Sequence, residues 1–285
     1  MDGMEFQQLV KTFQSVETLP QIPESAFRLV QVCDDPDSNL HDAEHVIASD
    51  PGLTAMILRS ASTARYVGLG RPVTTVAAAI MRIGLKSLKS LAMTHAFRTL
   101  LDQGKRSDWY DPRRLAGHSV FVAVAMQHLF DEAYGHSHYD LEEVFAFGLL
   151  HDLGICLLAE VAPEQFDSVW KEAEKLGISF EEAFQARFHE PVATLSWAAA
   201  AAWQLPDIFV EFLHSITNRD EPSDLGLAVE SLAQAESLAT SVRFCFEPWM
   251  EGDGKSEVDA GVIEQLLGAF NENWQGPTPF LHQAA

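Results

Sequence analysis

Apolar and small residues recur along this chain at the three- and four-residue intervals of helices. Asp50-Pro51 is a helix start, with Asp as the capping residue and Pro at the first helical position. Behind it Leu53, Met56, Ile57, Ser60, Ala61 and Ala64 share one face. Thr74 or Thr75 caps a second helix whose Ala78, Met81, Leu85 and Leu88 lie together, interrupted or ended locally at Gly84. Asp111-Pro112 repeats the start signal and places Leu115, His118, Val122 and Ala125 on one stripe. Ser179-Phe-Glu-Glu182 reads as a capping box, Ser covering a free backbone N–H while Glu reaches back. No stretch alternates apolar and polar residues long enough for a half-buried strand. The pattern predicts an all-α fold.

The longest apolar run, Val144 to Ala159, carries His151 and Asp152 at its centre. It falls short of the ~20 residues a membrane span needs, so a buried core helix is expected and no membrane partner. Polar, glycine-bearing breaks fall at Gln103 to Asp111, Asn218 to Ser223 and Glu247 to Glu257, the last expected as an exposed loop. Nineteen Lys and Arg against 41 Asp and Glu give a net charge of −22, which argues against non-specific nucleic-acid binding. Cys33, Cys156 and Cys245 are scattered and form no paired motif, which fits a reducing cytoplasm. The first residues show no basic stretch followed by an apolar one, so no signal peptide is expected.

Phe147-Gly-Leu-Leu-His-Asp-Leu-Gly-Ile155 is the segment that points to chemistry. A carboxylate inside an apolar helix must be paired, neutralised or hydrogen-bonded. Neutral imidazole and carboxylate are also good ligands for a divalent transition metal. Gly148 and Gly154 bracket the pair and admit a close neighbour. The same residues also fit a core histidine beside a carboxylate paired to another helix. His118 lies on the apolar stripe of the preceding helix, so two neighbouring helices are expected to bring His118, His151 and Asp152 together. His189 lies near an expected helix start and His214 follows Val210-Glu-Phe-Leu at helical spacing; both are further candidate ligands, or surface and capping residues. Val67-Gly-Leu-Gly-Arg-Pro72 reads as a turn, where Arg71 could meet an anion. Walker loops, GxGxxG and GxSxG are missing from the sequence.

Taken in order, several segments resemble the HDOD family. They are Leu19-Pro-Gln-Ile-Pro-Glu24, Ile47-Ala-Ser-Asp-Pro-Gly-Leu-Thr54, Arg71-Pro-Val-Thr-Thr75, Ala79-Ile-Met-Arg-Ile-Gly-Leu85, His118-Ser119, Gly148-Leu-Leu-His-Asp-Leu-Gly154 and Trp203-Gln-Leu-Pro206. The resemblance spans about Leu19 to Thr217. It implies an N-terminal helical bundle, residues 1–105, followed by an HD-like bundle with a C-terminal extension, residues 106–285. It further implies a bacterial signalling role through protein partners.

In the related HD phosphohydrolases a His, an adjacent His-Asp pair and a later Asp hold metal. By that pattern His118, His151 and Asp152 fill the first three places, and the fourth aligns with Gln234, a neutral and weaker ligand. A Lys that often follows the HD element is replaced by Ile155. A regulatory scaffold with a degenerate HD site is therefore the expected function. The alternative is a metal-dependent phosphohydrolase acting on a phosphomonoester, nucleotide or cyclic dinucleotide, with Asp152 as ligand or proton acceptor.

Overall fold

A computed structural model of the chain describes residues 2–15, 17–62, 73–102, 107–134, 141–218, 225–250 and 259–273. Its helices are α1 (Asp2–Phe13), α2 (Glu24–Asp34), α3 (Leu40–Ala48), α4 (Pro51–Ser60), α5 (Val76–Ile83), α6 (Leu85–Asp102), α7 (Pro112–Tyr134) and α8 (Leu141–Leu150). They continue with α9 (Leu153–Val161), α10 (Pro163–Leu176), α11 (Phe180–Phe188), α12 (Ala193–Ala202), α13 (Asp207–Thr217), α14 (Gly226–Ser241) and α15 (Ala260–Asn273). Among the described residues there is no strand. The turn expected at 67–72, with Arg71, and most of the break at 218–223 lie outside those residues.

Local chemistry sets the helix ends. Asp50 Oδ1 accepts the N–H groups of Gly52 and Leu53 at 2.8 and 3.0 Å, satisfying two donors that α4 cannot pair internally. Thr75 caps α5 through Ala78 N–H, and Gly84 ends it at φ 85°, a backbone region that favours glycine. Asp111 Oδ1 accepts Arg113 N–H at 2.9 Å before α7. Ser179 and Glu182 form the expected capping box on α11.

The apolar run around Val144 to Ala159 is not one continuous helix. It ends at Leu150 and restarts at Leu153, with His151 and Asp152 in the break. Although the Leu141–Val161 stretch has the length and apolarity to cross a membrane, most of it is buried inside the protein. α7 packs along α8, α14 and α15, while α9 packs on α10 and α12. Phe147 of α8 stacks on Phe212 of α13, ring centroids 4.3 Å apart. On the other side α6 lies against both α2 and α8, and Lys89 of α6 pairs with Asp34 of α2 at 2.6 Å and Glu143 of α8 at 3.0 Å.

Glycines permit the two closest approaches around the break. A Cβ on Gly148 would lie 2.5 Å from Ala123 Cα of α7, and one on Gly154 would lie 2.7 Å from Val192 O. Backbone atoms cannot yield as a flexible side-chain tip can, so a methyl group here must push helices apart. Gly148→Ala should therefore destabilise the protein by about 1–3 kcal/mol. Gly226→Ala, with open space around it, should change stability by no more than about 0.5 kcal/mol. Urea unfolding of both variants checks the pair.

Candidate metal centre

The break between α8 and α9 turns His151 and Asp152 toward α7, where His118 waits on the buried stripe. Ser196 of α12 holds the turn in place: its Oγ accepts Gly154 N–H at 2.7 Å and donates to His151 O at 3.1 Å. His118 and His151 are only 5% and 6% exposed. His118 Nδ1 lies 2.8 Å from Phe244 O, and His151 Nδ1 lies 2.6 Å from Gly148 O. A carbonyl can only accept, so both rings carry a proton on Nδ1 and aim Nε2 inward. Anchoring of the far ring nitrogen by a backbone carbonyl is a recurrent feature of metal-bound histidine.

Both Nε2 atoms meet two carboxylates. Asp152 Oδ2 is 3.3 Å from His118 Nε2 and 3.1 Å from His151 Nε2. Glu236 Oε1, from α14, is 3.3 and 2.8 Å from the same two atoms. Donors held about 2.0–2.2 Å from a single ion stand about 3 Å apart, which is the spacing found here. Despite their proximity, His151 Nε2 and Glu236 Oε1 make no hydrogen bond of acceptable angle. Once the proton on His151 Nε2 is displaced, the ring nitrogen and the carboxylate offer lone pairs toward a shared cation. His118, His151 and Asp152 offer donor atoms close enough together to hold one divalent transition metal, and Glu236 faces both imidazoles from α14.

Glu236 corrects the alignment that put Gln234 in the fourth place. Gln234 is exposed, whereas Leu232, Glu236 and Thr240 follow each other at four-residue intervals and all line the cavity above the cluster. That spacing was the available signal. The two other candidate histidines lie elsewhere. His189 is exposed and ends α11 rather than starting a helix, at φ 59° in the left-handed region that His enters more readily than most residues. His214 Nε2 lies 2.9 Å from Asn218 Nδ2, and its ring packs 4.7 Å from Trp197.

The cavity has a volume of about 620 Å³, within the range of small-ligand sites. Ile155 lines it where a Lys was the family expectation, together with Glu181, Glu182 and Glu247. Glu247 is not part of an exposed loop: it is buried, and its Oε1 accepts Phe180 N–H at 2.6 Å. Residues 251–257 of that expected loop lie outside the described residues.

Burial opposes charge on either imidazole, yet the carboxylates of Glu236 and Asp152 outweigh it. They lift His118 well above the ordinary value of 6.5 and His151 to about 10. Burial likewise opposes the charged carboxylates, but the two rings hold Asp152 and Glu236 below the usual range. In metal-free protein the ring charges thus stabilise the fold fully below 6.5, and His151 loses its share as pH rises toward about 10. The carboxylates contribute above their ordinary values of 3.8 and 4.5, and lose that contribution as pH falls through the depressed folded values.

Metal binding must run the opposite way, because an ion displaces ring protons. Zinc affinity measured by chelator competition should rise by about tenfold or more per pH unit between about pH 6 and pH 8. Glu236→Gln should cost at least the ~10–100-fold lost when a mere outer partner is removed, whereas Gln234→Ala should leave affinity unchanged. Asp152→Leu should destabilise metal-free protein by up to about 3 kcal/mol, read by urea unfolding, since it leaves two buried imidazoles with the single carboxylate of Glu236.

The fold has parallels among solved structures. An HDOD domain protein of unknown function from Geobacter sulfurreducens superposes with a TM-score of 0.71 at 23% identity, over 95% of this chain and 90% of that one. A protein from Marinobacter aquaeolei VT8, described as a signal transduction protein, gives 0.67 at 20% identity, over 95% of this chain and 64% of that one. One from Shewanella amazonensis SB2B, described as a metal-dependent phosphohydrolase, gives 0.57 at 20% identity, over 94% and 89%. No curated protein sequence matches the chain. The sequence profile of the HDOD domain matches residues 19–218, well over half of the chain. With that match, and with the helical order and the His–His-Asp cluster in place, this chain belongs to the HDOD domain family.

Proposed function

We propose that this chain is a bacterial regulatory module that acts through protein partners and keeps one divalent transition metal in its HD cluster without using it for phosphoryl chemistry. The observation that carries this reading is the charge of the cavity beside the cluster. Phosphoryl transfer relies on cationic groups that hold the phosphate oxygens and take up charge in the transition state. Among the described residues lining this cavity there is no Lys or Arg, and Glu181, Glu182 and Glu247 occupy it. The Marinobacter relative, described as a signal transduction protein, agrees with this assignment.

A phosphohydrolase is the second reading, favoured by one specific observation. Glu236 places beside both imidazoles a carboxylate that the sequence alignment lacked. The Shewanella relative described as a metal-dependent phosphohydrolase fits that alternative. When bound, a divalent ion supplies positive charge and lowers the pKa of its water to ~7. His118 and His151 would hold the ion by Nε2, and Asp152, on the cavity side, would serve as ligand or proton acceptor.

Protein purified without chelator or a nickel-binding tag should contain a stoichiometric transition metal, measured by mass spectrometry of the elements and lost in His118→Ala. Fully loaded protein should hydrolyse p-nitrophenyl phosphate and bis(p-nitrophenyl) phosphate no faster than the His118→Ala variant. Turnover that follows metal content would reverse the preference in favour of the hydrolase.

A further inference from the structure

α1 rests on α11 and α12, against which it buries Phe6, Leu9 and Phe13. These anchors recur at intervals of three and four residues, the spacing with which an amphipathic helix fills a groove. Phe6 meets the rings of Phe184 and Phe188 of α11, with centroids 6.3 and 6.1 Å apart. Between α1 and α2 the chain carries Pro20 and Pro23, and its described residues there form no helix. α1 is thus a separate helix laid on the HD-like half, not a continuation of the bundle that follows it.

Two features of this seam make α1 an imperfect occupant. A cleft of about 460 Å³ runs along one edge, between Gln8 and Thr12 of α1 and Val161 and Pro163 opposite. Arg187 of α11, moreover, uses its guanidinium only in part. Nη1 donates to Ser168 Oγ of α10 at 2.6 Å, but Nη2 reaches Glu5 Oε1 of α1 only at 3.4 Å. Nε is buried and makes no hydrogen bond. Nε and Nη2 form the side of the fork that a carboxylate grips with both oxygens. A helix whose carboxylate reached both atoms, and whose side chains filled the cleft, would fit this face better than α1 does.

We infer that the α11–α12 face is the docking groove for a partner's amphipathic helix, with α1 as its resident occupant and competitor. The partner helix carries a carboxylate and then three apolar anchors in the pattern of Glu5, Phe6, Leu9 and Phe13. The inference deepens, and rests on, the reading that this module acts through protein partners. α12 also bears Ser196, which holds the His151 turn, so the occupant of the groove lies on the helix that positions the cluster.

A fluorescent peptide of residues 2–15 is the probe and the full chain its receptor. In a Phe6→Asp/Phe13→Asp variant the tethered helix no longer competes, so the peptide should bind about tenfold or more tightly than to the unsubstituted chain. Glu5→Gln in the peptide should weaken that binding about threefold, and the difference should vanish when Arg187→Gln is added to the protein. Hydrogen exchange of the isotope-labelled, unsubstituted chain reads the same replacement without a variant. Excess unlabelled peptide should speed exchange of α1 amides about tenfold, by capturing the open form, and leave those of α12 unchanged. No acceleration, or no binding at about millimolar peptide to a variant that still unfolds cooperatively in urea, would overturn the inference. Dimers formed by exchange of α1 between copies would give the groove to a second copy of this chain and overturn it as well. Turnover that follows metal content overturns the regulatory reading alone, whereas failed docking in a protein without turnover overturns only the groove.

Discussion

Two backbone carbonyls determine what this molecule can do at its centre. Phe244 O and Gly148 O each hold an imidazole Nδ1, and so fix which nitrogen of His118 and His151 faces the interior. Were either ring free to flip, the inward atom could be a carbon or a protonated nitrogen, and His118, His151 and Asp152 would not offer donors to one point. The carbonyls are themselves fixed by packing. Phe244 stacks on Phe121 of α7 at 4.4 Å, and Arg114, one helical turn before His118, donates to Phe246 O at 3.0 Å. Gly148 sits against the backbone of Ala123 with no room for a methyl group. The chemistry of the cluster thus rests on helix contacts some residues away from it.

Continuity of packing also ties the N-terminal helices to the cluster. α6 touches α2 and α4 on one side and α8 on the other, and α8 ends where His151 begins. Lys89 is shared between carboxylates of α2 and α8, and Ser90 Oγ donates to Glu142 O at 2.8 Å. A displacement of α2 would alter the ion pairs through which Lys89 joins α2 to α8. That is a physical route by which a surface contact could reach the cavity, and it suits a regulatory module.

Much of this arrangement was legible in the residues. Caps at Asp50, Thr75, Asp111 and Ser179 mark the helix starts because their side chains bond the first free N–H groups, a local effect that needs no tertiary context. The meeting of His118 with His151 and Asp152 followed from placing polar residues on faces that had to be buried. Glu236 was missed because α14 is rich in Ala and Ser, so its buried face is poorly marked and an alignment can slip by two residues. The break at His151–Asp152 carries neither Gly nor Pro; it is stabilised by Ser196 from a distant helix, which no local pattern reveals. His189 ends a helix through a left-handed backbone, again a feature set by the chain around it.

The central claim, that two fixed imidazoles present Nε2 to one metal ion, is most directly tested by long-range proton–nitrogen NMR of histidine-labelled protein during a zinc titration. The account predicts that His118 and His151, assigned by substitution, keep their Nδ1–H while both Nε2 resonances move together to metal-bound positions at stoichiometric zinc. Coordination through Nδ1, a response from His189 or His214 in their place, or no response at all would contradict it.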